Sequence, residues 1–149
     1  MEATVVVNVA IAIIENDQHY LIAKRLANAH LPNLWEFPGG KKLAENDTLP
    51  HETLEECVIR EAEEELCVKI KINRFYGKIE YAYPDKTVCL HAYLCHITDG
   101  IISSPQEIKW VSAKGDSYGE SKQYSGWVYS GITRLFKNDK RIRFQYQVH

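Results

Sequence analysis

This chain has few cysteines, and they are poorly spaced for metal. Cys57, Cys67, Cys89 and Cys95 include no C-x-x-C pair. That argues against a structural zinc site, and it gives no disulfide framework. Cys89 and Cys95 sit in an apolar stretch and read as buried thiols. An excess of one charge is also missing. The net charge is −2, which removes the global electrostatic case for a nucleic-acid polymer as partner. No apolar run is long enough for a membrane span, since "VVVNVAIAII" (5–14) is too short. The N-terminus has neither a basic lead-in nor a small-residue cleavage signal. These absences make a soluble, reducing compartment the expectation, with the cytoplasm as default and no membrane partner. No internal repeat or linker breaks the chain. Its 149 residues, 45% hydrophobic, suit one domain over 1–149.

The patterning alternates between strand and helix. Val5–Ile14 is rich in Val and Ile and ends at Glu15-Asn16-Asp17, a strand and a turn. His19–Arg25 reads as a second strand. Leu26–Pro38 is loop-like, Gly39-Gly40 marks a turn, and Lys41–Leu49 reads as a polar surface loop. Pro50 fits a first helical turn. From there to Leu66 the pattern is helical, with Leu54, Val58, Ala62 and Leu66 as one buried stripe. Val68–Ile72, Phe75–Tyr83 and Thr87–Ile97 read as strands, with "YPDK" (83–86) turning between the last two. Lys109–Val111 is a short strand. Ser125 caps a second predicted helix. The tail "RIRFQYQV" alternates strictly, as a strand within the domain or across a homodimer would. The result is a mixed α/β or α+β domain with a helix on a face of a sheet.

One predicted helix is crowded with acid. In "IREAEEEL" (59–66), Glu61, Glu64 and Glu65 stand at i, i+3 and i+4 and are mutual neighbours. On an open surface that crowding costs only about 0.2–0.5 kcal/mol per pair. In a cleft, at an effective dielectric near 20, each pair repels by roughly 3 kcal/mol. Such a cluster then needs protons or a divalent cation, and an oxygen-rich set suits Mg²⁺ or Mn²⁺. By the helical period the acids flank the packed face, where a cleft wall would stand. Arg60 has two readings, a surface pair with Glu56 or a cation that positions the carboxylates. Upstream, "WEFPGGK" (35–41) places two glycines where backbone can approach a ligand. Phosphate with a divalent metal is a ligand class that needs both features.

These residues resemble the Nudix box, G-x5-E-x7-R-E-U-x-E-E-x-G-U, where U is bulky and apolar. Glu52 precedes Arg60-Glu61 by the right interval. Ala62 stands at the first U, Glu64-Glu65 at the paired glutamates and Val68 at the last U. "LIAKR" (21–25), "LWEFPGGK" (34–41) and "YAYPDKTVCLHAYLC" (81–95) are similar to the MutT-type branch. The resemblance implies a Nudix-type α/β/α sandwich around a mixed β-sheet. It implies Mg²⁺-dependent hydrolysis, with Mn²⁺ as substitute, of a nucleoside diphosphate linked to another moiety. The leading expectation is a nucleoside triphosphate, oxidised or not, cleaved to monophosphate and pyrophosphate. The alternatives are a nucleotide sugar or dinucleotide as substrate, or a non-catalytic nucleotide sensor. By the same resemblance Glu64, Glu65 and the Gly39 carbonyl hold metal. Glu61 binds metal or activates water, and Arg60 and Glu52 orient the cluster. Lys24, Arg25, Gly40, Lys41, Trp35 and Tyr83 are the expected substrate contacts.

The chain departs from the box in three places. Eleven residues separate Gly40 from Glu52 where the box has five, which reads as an inserted surface loop. The box's late glycine is Cys67, so a perturbed helix end is expected. MutT-type enzymes carry a further glutamate before the next strand's Trp, and that position is Ser104. Glu107 is its nearest substitute, as extra ligand or base, with a plain surface charge as the other reading. The segment 112–127 lacks the usual base-reading pattern, so the sequence leaves the base unassigned. His91, in an alternating strand, reads as a satisfied core or cleft-wall residue.

Overall fold

The computed structural model describes residues 5–24, 26–27, 35–42 and 52–112. Among these, Val5–Asn16 forms β1, His19–Lys24 β2, Trp35–Glu36 β3 and Gly39–Lys41 β4. Leu54–Leu66 forms helix α1. Lys69–Ala82 forms β5, Lys86–Asp99 β6 and Ile108–Ser112 β7. The strands join in the order β3-β2-β1-β6-β5, with β4 added to β1 and β7 to β2. β1 runs parallel to β6, from Val5 beside Lys86 to Ile14 beside Cys95. The other pairings are antiparallel. The sheet is therefore mixed.

β1 explains its own composition. Ala10, Ala12 and Ile14 pack with Val58, Ala62 and Leu66 of α1. Val9, Ile11 and Ile13, on the opposite face, are buried as well. Over 9–14 the strand is covered on both faces and needs a continuous apolar run, while Val5 and Val6 at its start are exposed. In α1, Cys57 joins the expected stripe as a fully buried side chain, while Leu54 packs partly buried at the edge. Each fully buried Val or Leu contributes about 1.5–3 kcal/mol.

Several elements depart from their sequence reading. α1 starts at Leu54, after Pro50, because Thr53 caps it. The Thr53 hydroxyl accepts from the Glu56 N–H at 3.1 Å, and Glu56 Oε1 accepts from the Thr53 N–H at 3.0 Å. This capping box is written in the sequence as T-L-E-E. The helix end is regular, not perturbed. Cys67 takes the left-handed conformation (φ 59°, ψ 32°) and donates its N–H to the Glu63 carbonyl at 3.0 Å. The Leu66 carbonyl accepts from the Ser103 N–H at 2.9 Å. Cys67→Gly is therefore expected to raise stability by about 0.5–1 kcal/mol, because glycine occupies this region without Cβ strain. Denaturant unfolding checks it, and an unchanged or lower midpoint would refute it.

Val68–Ile72 and Phe75–Tyr83 are one strand, β5. Register shifts at 69/70, 72/74 and 75/77 break its apolar alternation. The predicted turn at 83–86 is present, with Tyr83 N–H donating to the Lys86 carbonyl at 2.7 Å. The loop-like stretch 26–38 contributes β3, and the short strand near 109 extends over Ile108–Ser112. The polar loop after Lys42, Pro50, the Ser125 helix, the segment from 113 onward and the terminal strand lie outside the described residues. No described helix is long and apolar enough to cross a membrane.

Candidate active site

The Gly39-Gly40 pair is not a turn. It is the core of β4, paired with Ile11 and Ala10 of β1. Ala12 donates to the Pro38 carbonyl at 2.8 Å and Lys42 to the Asn8 carbonyl at 3.0 Å, which fixes the strand at both ends. α1 packs against both β1 and β4. Glycine is required here by close approach on two sides. A Cβ on Gly39 would meet the Ala10 carbonyl oxygen, a backbone atom. A Cβ on Gly40 would lie 2.5 Å from the Glu61 carboxyl carbon. The two substitutions should therefore differ. Gly39→Ala must move a strand and is expected to cost about 2–4 kcal/mol. Gly40→Ala need only push a side chain aside, so it should lower turnover at least tenfold with the melting temperature within a few degrees. Equal effects of the two on melting would refute this account.

Arg60 is the hub of the carboxylates. Its Nε donates to Glu52 Oε2 at 2.7 Å and its Nη2 to Glu52 Oε1 at 3.2 Å, a bidentate pair. Its Nη1 lies 3.0 Å from Glu61 Oε1 and 2.9 Å from Glu64 Oε2. Nη2 also reaches the Lys41 carbonyl at 3.2 Å and Cys57 Sγ at 3.7 Å. Of its two expected sets of partners, Arg60 therefore meets the carboxylate cluster. Glu56 is engaged in the helix cap instead. The Glu52 hydrogen bond first, then Glu64, raises the Arg60 pKa further above its already high value, so the guanidinium stays charged.

The three box glutamates sit in different surroundings. Glu65 is mostly buried and accepts from the Gly39 N–H at 3.2 Å. Burial, then the neighbouring charge of Glu61, pushes its pKa up to about 8, against the pull of that N–H. Glu36 and Glu64 add to the repulsion. Glu61 is 14% exposed, and burial raises its pKa against the opposing pull of Arg60. Glu64 is 59% exposed. Among the described residues no three His, Cys, Asp or Glu side chains already converge as a ligand set. Glu64 is turned to Arg60 and would rotate to join the others, which its exposure permits. The donor chemistry fits a hard divalent cation. These are carboxylate oxygens, two of them held where negative charge is disfavoured and each beside another, so a cation would relieve the strain.

The remaining predicted residues are spread along the sheet. Gly40 and Lys41 are beside Glu61 and Arg60. Lys24 ends β2, with its ammonium 3.8 Å from the carboxylate of Glu107, which is 67% exposed. The Lys24 N–H also donates to the Glu107 carbonyl at 2.8 Å. Glu107 is thus held to β2 as a surface partner of Lys24. Ser104 accepts from the Gln106 N–H at 3.1 Å. Tyr83 is exposed at the β5–β6 turn, near the Val5 end of β1, and so roughly 15–20 Å along that strand from the β4 pairing. The Trp35 backbone lies in β3. Its side chain, and all of Arg25, fall outside the described residues. His91 is satisfied, with Nε2 at 3.0 Å from Asn8 Oδ1, and burial lowers its pKa. Sequence reasoning missed Cys57, whose thiol donates to the Gly40 carbonyl at 3.6 Å. Its position three residues before Arg60, on the same helix side, was the available signal.

Comparison with known proteins extends the pattern. The family description that matches is the NUDIX domain, over residues 9–118. An 8-oxo-dGTP diphosphatase of Escherichia coli (strain K12) is 34% identical over 121 residues, covering 80% of this chain and 78% of the relative. A CTP pyrophosphohydrolase of the same organism is 31% identical over 93 residues, 62% of this chain and 63% of the relative. Among solved structures, the MutT protein from Methanosarcina mazei Go1 matches with a TM-score of 0.72 at 21% identity. That match covers 94% of this chain and 99% of the other and speaks for the fold.

Proposed function

This chain belongs to the NUDIX domain family, and on that premise we propose that it is a Mg²⁺-dependent nucleotide pyrophosphohydrolase. Its substrate is a nucleoside triphosphate, cleaved at a phosphoanhydride to monophosphate and pyrophosphate. The observation that carries the reading is the joint arrangement at α1 and β4. Arg60 gathers Glu52, Glu61 and Glu64, while Glu65 is held by the Gly39 N–H. Relatives named for a purine and for a pyrimidine triphosphate support the triphosphate class.

In this reading Glu64, Glu65 and the Gly39 carbonyl hold the cation. Bound there, a divalent ion supplies charge neutralisation of the diphosphate oxygens and acidification of water. Glu61 is either a further ligand or the acceptor of the water's proton, and burial raises its pKa, which strengthens it as a base. Glu52 fixes the guanidinium, and Arg60 orients Glu61 and, in the metal-free chain, pairs with Glu64. Lys24, Arg25, Lys41, Gly40, Trp35 and Tyr83 are proposed to meet phosphate, sugar or base. The chemistry is positioning and charge stabilisation, with little covalent work for the protein.

The test is a phosphate-release screen with Mg²⁺. It covers ordinary and oxidised dNTPs and NTPs, nucleotide sugars and a dinucleoside polyphosphate, with coupled pyrophosphatase and phosphatase arms. Turnover of triphosphates to pyrophosphate, lost in Glu64→Gln, is the expected result. Turnover confined to sugars or dinucleotides would reassign the substrate class. Nucleotide binding without product would make the domain a sensor.

A further inference from the structure

Two side chains of α1 grip the backbone of β4, and only one of them belongs to the carboxylate cluster. Arg60 Nη2 reaches the Lys41 carbonyl at 3.2 Å. One turn earlier, the Cys57 thiol donates to the neighbouring carbonyl, that of Gly40, at 3.6 Å. The same sulfur lies 3.7 Å from Arg60 Nη2. Cys57 is fully buried, so water cannot replace it at the Gly40 oxygen. Burial, then the nearby Glu52 charge, pushes the thiol up to about 11, which keeps the S–H on the sulfur. The strand being gripped carries Gly39, whose N–H holds Glu65, and Gly40, against which Glu61 rests.

We propose that Cys57 is a positioning residue. Together with Arg60 it forms a clamp that fixes the height of the Gly39–Lys41 strand over α1, and through it the spacing of Glu61 and Glu65. The clamp has a physical rationale in the glycines. A strand with two adjacent glycines has no side chains of its own to anchor it, and its backbone is unusually free. Its position must come from hydrogen bonds on both edges. β1 supplies one edge and Arg60, at the Lys41 carbonyl, the other, while Cys57 meets the Gly40 carbonyl from the side of α1. A thiol suits the place because its long C–S bonds and small volume bridge a buried gap that an Ala methyl leaves open. The proposal rests on the carboxylates being the metal site, as argued above.

Three variants separate hydrogen bonding from packing. Cys57→Ala removes donor and volume, Cys57→Val restores volume without a donor, and Cys57→Ser restores a donor. Mn²⁺ affinity is measured by electron paramagnetic resonance on the full chain, without substrate, beside metal-free melting and the split of kcat from KM. The Ala and Val variants should bind Mn²⁺ about five- to tenfold more weakly, with kcat lowered and KM for substrate little changed. The Ser variant should stay within about threefold of the parent. Parent-like Mn²⁺ affinity in Val, or in Ala, would overturn the proposal, because packing or nothing would then be the role. A parent chain that binds Mn²⁺ but turns over no nucleotide would sink the enzymatic reading alone, and the affinity series would still decide the clamp.

Discussion

Arg60→Met is expected to remove turnover and to cost the fold about 3–5 kcal/mol. The reason is Glu52. Its carboxylate is buried, and both its oxygens take bonds from the guanidinium. Methionine fills much of the same space but leaves that charge without its bidentate partner. Glu61 and Glu64, both paired to the same Nη1, lose their common anchor as well. Arg60→Lys should fall between, since an ammonium cannot make the planar fork. The double variant Glu52→Gln with Arg60→Met should recover much of the stability and none of the activity, because the buried charge is gone but the carboxylates remain loose. Chemical denaturation and turnover together check this. A loss of under 1 kcal/mol in the single variant would show that the ion pair is not what holds this end of α1.

Glu65→Gln should lower turnover by at least a hundredfold, and it should also remove most of the loss of metal-free stability at high pH. In the folded chain the Glu65 carboxyl titrates near 8, against 4.5 ordinarily. The folded state therefore holds this proton more tightly than the unfolded state does. The associated stability is fully present below about pH 4.5 and is lost as pH rises through 8. The metal-free protein should thus melt lower at pH 8.5 than at pH 6, by roughly 1–3 kcal/mol after screening. Glu65→Gln has no such proton to lose and should melt higher than the parent at pH 8.5. Added Mg²⁺ or Mn²⁺ should raise the parent's melting temperature most at high pH and the variant's little. A metal-induced shift of equal size in both would remove Glu65 from the ligand set.

Much of this site was legible because its signals are local. The intervals from Glu52 to Arg60-Glu61 and on to Glu64-Glu65 are counts along one chain, and helical geometry turns them into neighbours. The buried stripe of α1, the doubly covered β1 and the β5–β6 turn follow from apolar periodicity and turn residues in the same way. Even the helix start was written, as Thr53 and Glu56, although Pro50 was the louder signal.

What the sequence alone could not say concerns contacts between segments far apart in the chain. Gly39-Gly40 looks like a turn because glycine is read as a breaker. It is a strand because β1 lies alongside, close enough to exclude any Cβ at Gly39. Arg60 had two candidate partners by spacing, and the fold chose Glu52, Glu61 and Glu64 by leaving Glu56 to cap the helix. Cys67 looked like a defect until Ser103 and the left-handed cap closed the helix end around it. The charge states follow the same rule. A glutamate's pKa is set by what surrounds it, and Glu65 acquires its surroundings from β4 and α1 at once. Sequence by itself determined which acidic, basic and glycine residues this protein brings to the candidate site. Tertiary structure decided which of them meet, because burial and close approach arise only where separate segments pack.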